Sequence, residues 1–209
     1  MEQPINATKV QSKRINRLAI VRDLIVLTVL LTGIGAGTIA MCKHDLTPGA
    51  QVAVKSNWPP ASAQRAPLHH PVLMVFVHPR CPCSRATLAN LAQLVGKPGV
   101  LVDARVVFVC PPGAPSGWEQ GALWNSASTV RGVQCIIDVG GREARLFGAR
   151  TSGQTLLYSS NGVLQFRGGI TEGRGAEGES VGSDAVRTIL AGHPPRLRQT
   201  PVFGCELGV

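Results

Sequence analysis

The stretch VLMVFVHPRCPCSRATLANLAQLV, residues 72–95, changes its periodicity midway. Val72 to Val77 is an unbroken apolar, largely β-branched run, which predicts a buried strand. His78-Pro79-Arg80 interrupts it. Leu88, Leu91, Ala92 and Val95 then recur at i, i+3, i+4 and i+7, the stripe of an amphipathic helix. Cys81 and Cys83 therefore fall in a strand-to-helix joint. There the unpaired N–H groups and the positive end of the helix dipole favour thiolate. Arg80, Arg85 and His78 are the cationic neighbours the sequence offers. Two cysteines so placed point to redox or metal chemistry, with an inert structural disulfide as the competing reading.

Working outward, Gly96-Lys97-Pro98-Gly99 stops the helix and Val100 to Val109 is a second apolar strand, suited to the middle of a parallel sheet. Ser116 to Thr129 is expected as a helix with Trp118, Leu123 and Trp124 as its core members. Val133 to Asp138 reads as a strand, Glu143 to Gly148 as a short helix and Thr155 to Ser159 as a strand. Asn161-Gly162 is a hairpin turn, with Val163 to Arg167 as the returning strand. A Gly/Glu-rich loop at 173–182 leads to a last helix, Ser183 to Ala191, whose inward residues are Val186, Ile189 and Leu190. The order β-α-β-α-β-α-β-β-α predicts an α/β domain: a central sheet flanked by helices, with parallel crossovers and one antiparallel hairpin.

Before this domain the 209-residue chain carries Lys9, Lys13, Arg14, Arg17 and Arg22, then a run from Leu24 to Cys42 with no charged residue. That run is long enough to cross a bilayer as a helix. The positive charges before it place the N-terminus in the cytoplasm and the remainder outside. A cleaved signal peptide and lipoprotein processing at Cys42 are the alternatives, and Met41 is too bulky for the usual processing site. The organisation expected is therefore a basic cytoplasmic segment at 1–23, a transmembrane anchor at 24–42 and a Pro-rich linker at 43–70. The domain follows at 71–192 and a C-terminal tail at 193–209. His69 and His70, at the linker's end, are read as solvated. The topology implied is single-pass with the C-terminal domain exported.

Charge is basic, Lys+Arg 21 against Asp+Glu 12, but the basic residues are scattered and not interleaved with aromatics. No nucleic-acid partner is expected. There is no internal repeat, heptad run or paired CxxC motif.

The cysteines at the first strand-helix joint resemble those of the thioredoxin-like fold. The segment from Asp138 through Gly141, Glu143, Phe147-Gly148 and Ser152-Gly153 to Asn161-Gly162 is similar to the later half of thioredoxin-like and peroxiredoxin-like domains. HPRCPCSRA (78–86), TSGQTLLYSSNG (151–162), FRGGIT (166–171) and TPVFGC (200–205) resemble the bacterial membrane-associated RedB proteins. The resemblance implies thiol-disulfide chemistry at Cys81 and Cys83 with protein thiols or disulfides as partners and no cofactor, on a bacterial inner membrane with the C-terminal domain in the periplasm. It also marks two departures. Thioredoxins have CxxC, whereas here the spacing is CxC, with Ser84 at the second position. Gln154 stands where thioredoxins carry a cis-proline facing the active site.

On this reading Cys81 attacks, Cys83 resolves the mixed disulfide, and Arg80 and Arg85 support the thiolate. A disulfide across CxC closes a very small ring, and strain makes such a bond more oxidising. Cys110 and Cys135 are expected as buried thiols or a structural pair. The tail carries Val202-Phe203-Gly204-Cys205, and its apolar residues predict that it folds back onto the domain. Docked near the joint, Cys205 would be a second resolving thiol or a third soft ligand. Cys81, Cys83 and Cys205 could then hold a copper(I)-type ion. An exposed Cys205, or one paired with Cys110 or Cys135, is the plainer alternative. A non-catalytic binding module on the same fold is the third reading of the whole chain.

Overall fold

The computed structural model describes residues 7–67, 69–97 and 99–209, with side chains described from residue 17 onward. Residues 1–6 and the side chains of Lys9, Lys13 and Arg14, part of the expected basic segment, lie outside the described residues. The chain divides into two units, residues 1–44 and 45–209.

The first unit is built on one helix, α1 (Ala7–Asp45). Its portion Arg17–Asp45 is long and apolar enough to cross a membrane, a length of roughly 43 Å at 1.5 Å per residue. The expected span at 24–42 lies inside it. Thr28, Thr32 and Thr38 turn their hydroxyls back onto Leu24 O, Thr28 O and Ile34 O. That is how a hydroxyl is satisfied where no water is available.

The second unit is an α/β domain, a single sheet flanked by helices. Its elements follow in the order β1 (Val72–Val77), α2 (Ser84–Val95), β2 (Asp103–Cys110), α3 (Ala122–Ser128), β3 (Val133–Val139), α4 (Arg142–Leu146), β4 (Gln154–Tyr158), β5 (Leu164–Gly168) and α5 (Val181–Leu190). They form one sheet in the order β3-β2-β1-β4-β5. β1–β2 and β2–β3 are parallel, while β1–β4 and β4–β5 are antiparallel. Antiparallel pairing thus extends beyond the expected hairpin to the centre of the sheet.

β1 is the central strand, and both its faces are buried. Leu73, Val75 and Val77 pack with Leu88, Leu91, Phe108 and Val186 under α2 and α5. Val72, Met74 and Phe76 pack with Phe147, Leu156, Tyr158 and Leu207 on the opposite face. Each large side chain so buried stabilises the fold by about 1.5–3 kcal/mol. This two-sided burial explains why β1 shows no polar alternation in sequence.

Three expectations are corrected. The helix expected over 116–129 forms only over Ala122–Ser128. Gly117 has φ +82, and successive turns, with Trp118 N donating to Pro115 O and Gln120 N to Gly117 O, occupy the earlier residues. The second strand starts at Asp103 rather than Val100. The Pro-rich stretch expected as a tether is laid along the domain. Trp58 packs edge-on to Phe147 and Tyr158, Ser62 Oγ and Ala63 N donate to Glu143, and Arg105 donates to Arg65 O.

The tail runs back across the domain. Gly169 N donates to Pro201 O, Ser152 N to Cys205 O and Leu207 N to Arg150 O, and Val202 and Leu207 are buried.

Candidate functional site

The site forms where the β1–α2 joint, the loop before β4 and the tail meet. Cys83 is the N-cap of α2 and gives no side-chain cap. The joint is instead closed by tight turns, Cys81 N donating to His78 O and Ser84 N to Cys81 O. These turns hold Cys81 at the base of the helix with only 1% of its surface exposed, while Cys83 is half-buried.

The tail brings a third thiol. Cys81 Sγ and Cys205 Sγ lie 2.9 Å apart and share a hydrogen bond. The sulfurs of Cys81, Cys83 and Cys205 all lie within 4.8 Å of one another, and all three cysteines are free thiols. Cys110 and Cys135 belong to β2 and β3, away from this cluster. Burial pushes both their thiols up, and Cys110 donates to Phe108 O.

The three clustered thiols are electrostatically unequal. Burial pushes Cys81 up, but hydrogen bonds from the Cys205 thiol and backbone, the Ser84 hydroxyl and the Cys83 N–H outweigh it, and the net shift is down. Cys83 is raised, first by burial and then by repulsion from Cys81, with Arg174 opposing. Cys205 is pushed up to about 12, by burial first and then by its bond to Cys81 and the charges of Cys81 and Cys83. Cys81 is therefore the more acidic of the two thiols and Cys205 the one that holds its proton more tightly. The bond runs from the Cys81 thiol to the Cys205 sulfur; once Cys81 ionises, Cys205 becomes the donor.

A serine relay supports this assignment. His78 N donates to Ser152 Oγ at 2.7 Å, and Ser152 Oγ lies 2.7 Å from Ser84 Oγ. With Ser152 already accepting from the backbone, its own hydrogen is free for Ser84. The Ser84 hydrogen is then free for the Cys81 sulfur. Both serines are buried, where a hydrogen bond to a charged group contributes about 1.5–3 kcal/mol.

The arginines expected beside the thiolate take other positions. Arg80 stacks its guanidinium 4.6 Å from the centre of the Trp118 ring. Arg85 is exposed and, with Arg80, lines an open groove that reaches Cys81. Neither is among the groups that lower Cys81. His78 is not a cationic neighbour either. Burial first, and then Arg80, lowers its pKa, and its Nδ1 accepts from Arg80 N at 3.2 Å. The cation beside the thiols is Arg174, which bonds Cys83 and donates to Gly204 O.

Gln154 departs from its expected place facing the thiols. Its side chain donates to Gly148 O and accepts from Arg150 N, so it ties the α4–β4 loop. The residue of that loop which enters the site is Ser152. Arg174 and Ser152 were missed for one reason: each reaches the thiols across long sequence separations, from loops with no local signature. Trp118, expected in the core, instead carries Arg80 and lies edge-on to His78.

No protein family and no curated protein matches the sequence. Solved structures do resemble it. A hypothetical protein from Sinorhizobium meliloti 1021 aligns with TM-score 0.60 at 18% identity, over 78% of this chain and 97% of that one. An uncharacterized conserved protein from Geobacillus kaustophilus aligns with TM-score 0.57 at 15% identity, over 78% and 93%. A secreted Mycobacterium tuberculosis disulfide oxidoreductase homologous to E. coli DsbE aligns at 0.41 and 14% identity, over 60% and 83%.

Proposed function

We propose that this chain is a membrane-anchored thiol-disulfide oxidoreductase of the RedB type, acting on protein thiols or disulfides at the periplasmic face of a bacterial inner membrane. The observation that carries the reading is Cys81. It is a thiol whose pKa is lowered although it is buried, it stands at the β1–α2 joint, and it borders an open groove. Nothing structural requires a stabilised thiolate there; a nucleophile does. The apolar helix α1 supplies the anchor, and the basic residues before it favour a cytoplasmic N-terminus.

In the step proposed, the Cys81 thiolate attacks one sulfur of a substrate disulfide. A mixed disulfide forms and the other substrate sulfur leaves as a thiolate. A neighbouring thiol then attacks the Cys81 sulfur and releases the second substrate thiol. The substrate gains two electrons and the protein loses two.

The test is the reaction of the reduced, detergent-solubilised full chain with glutathione disulfide. The reading expects the first glutathione adduct on Cys81, formed faster at pH 7 than on free cysteine, and no fast phase in Cys81→Ser. A Cys81 no faster than free cysteine would remove it.

One observation favours a second reading. Three sulfurs within 4.8 Å of one another match the donor set of a soft, copper(I)-type ion. A delivery protein of that kind would retain copper(I) against a competing chelator and lose it in each of the three single cysteine variants.

A further inference from the structure

The sequence places two thiols beside each other at 81 and 83, and the fold brings a third from 124 residues away. We infer that Cys205, on the C-terminal tail, is the thiol that resolves the mixed disulfide at Cys81, and that the CxC pair does not close on itself. This rests on Cys81 being the nucleophile.

Three observations carry it. The first is distance. The Cys81 and Cys205 sulfurs are 2.9 Å apart, about 0.9 Å more than a disulfide bond. Closing that gap asks for a small side-chain adjustment.

The second is the backbone of the joint. Cys83 has φ −64 and ψ −26, helical values, and the turn is held by Ser84 N to Cys81 O and Arg85 N to Pro82 O. The Cys81 and Cys83 sulfurs also lie within 4.8 Å of each other, but a disulfide between residues two apart closes a very small, strained ring. A Cys81–Cys83 bond would have to unwind the start of α2, whereas a Cys81–Cys205 bond joins two separate elements already in contact.

The third is direction. Thiol-disulfide exchange passes through a roughly linear row of three sulfurs: attacking, central and leaving. The groove that admits a substrate is lined by Cys81 with Pro79, Arg80, Pro82 and Arg85, and by neither Cys83 nor Cys205. Cys205 reaches Cys81 from the tail and is not part of that lining, so a substrate sulfur entering the groove and the Cys205 sulfur approach Cys81 from different elements.

The tail is fixed for this purpose. Ser152 N donates to Cys205 O at 2.8 Å and Leu207 N to Arg150 O at 2.8 Å, at the thiol's own residue and just after it, and Arg174 holds Gly204 O just before it. The balance is complete: a substrate disulfide and the two thiols of Cys81 and Cys205 become a Cys81–Cys205 disulfide and two substrate thiols. A protein dithiol returns the pair to its reduced form.

Trypsin separates the alternatives, because Arg80 and Arg85 bound a peptide of residues 81–85 that contains both CxC cysteines, and Cys205 lies on another peptide. The reduced full chain in detergent is treated with glutathione disulfide, quenched in acid, alkylated and mapped. In the wild-type chain the 81–85 peptide is expected to be cross-linked to the peptide carrying Cys205, and Cys83→Ala is expected to keep that cross-link. In Cys205→Ala the glutathione adduct on Cys81 is expected to persist at least about tenfold longer, because an adjacent intramolecular attack has been removed. An internal Cys81–Cys83 disulfide in the wild type, or an adduct trapped by Cys83→Ala instead, would overturn the inference while leaving Cys81 as nucleophile. The wild-type map decides this even if a variant folds poorly. Absence of any adduct on Cys81 in every chain would remove the oxidoreductase reading and this inference with it.

Discussion

Gly204 packs against Ser152 so closely that a Cβ on Gly204 would lie 1.9 Å from the Ser152 carbonyl oxygen. Both partners are backbone, so neither can swing aside. Gly204→Ala should push the tail off the loop before β4 and carry Cys205 away from Cys81. The expected cost is about 1–3 kcal/mol of stability, read by denaturant unfolding. It should come with a rise in the pH at which Cys81 alkylates. Unchanged stability with an unchanged alkylation profile would mean that the tail is not seated as described.

The low pKa of Cys81 depends on donors that outweigh its burial. Cys205→Ala removes one of them, and Ser84→Ala removes another. Both should move the alkylation midpoint of Cys81 upward, with Cys205→Ala moving it further because both the Cys205 thiol and its place in the tail are disturbed. Rates of iodoacetamide reaction across pH, followed on the 81–85 peptide, measure this. A midpoint that does not move in either variant would refute the hydrogen-bond account.

Arg174 is the cation that opposes the rise of the Cys83 pKa, and it also holds Gly204 O. Arg174→Gln should therefore slow alkylation of Cys83 at a fixed pH near 8, and should loosen the tail. Arg80→Gln should leave the Cys81 midpoint where it is, since Arg80 is spent on Trp118. Alkylation assigned to each cysteine by fragmenting the peptide that carries both distinguishes the two variants.

The shift of Cys205 has a stability consequence of definite sign. Its folded pKa is pushed up to about 12, above the unfolded thiol value of about 8.5. The folded state thus holds this proton more tightly than the unfolded state. The contribution is fully present below about pH 8.5 and is lost as pH rises toward 12. Cys81, shifted the other way, contributes above the unfolded thiol pKa and loses that contribution as pH falls through its folded value. The stability difference between wild type and Cys205→Ala should therefore shrink as pH is raised from 8.5, in urea unfolding of the reduced chain. A difference that grows over that range would contradict the assignment of the proton to Cys205.

Membrane orientation is open to direct labelling. With Arg17 and Arg22 preceding the apolar part of α1, the domain should lie outside the cytoplasm. A membrane-impermeant maleimide applied to spheroplasts should label the 81–85 peptide of the reduced chain. Protection until lysis would place the domain on the cytoplasmic side.

Much of the fold could be read locally. The six residues of β1 announce a strand buried on both faces, and the stripe from Leu88 to Val95 announces α2. Asn161-Gly162 announces the turn between β4 and β5, where Gly162 takes φ +79. Reading failed where structure depends on distant partners. Trp118 looks like a helical core residue, but Gly117 and Gly121 leave it in a turn beside Arg80. Trp58 lies in a Pro-rich stretch with no periodicity, and only the surfaces of Phe147 and Tyr158 show why it packs. In the site, Cys81 and Cys83 stand out because their neighbours in sequence create the joint. Ser152 and Arg174 do not, because hydrogen bonds to loops and to the tail create their roles. Resemblance to a proline position sets Gln154 near the thiols, whereas its side chain bonds the backbone of Gly148 and Arg150.

The central claim is that Cys81 belongs to a redox-active pair. It is tested most directly by equilibrating the full chain in glutathione buffers of graded potential and measuring the fraction of Cys81 held in an intramolecular disulfide. The account predicts one two-electron transition with a potential above about −300 mV, the level below which structural disulfides of exported proteins lie. A Cys81 that remains a free thiol across the whole range, or a transition well below that level, would contradict it.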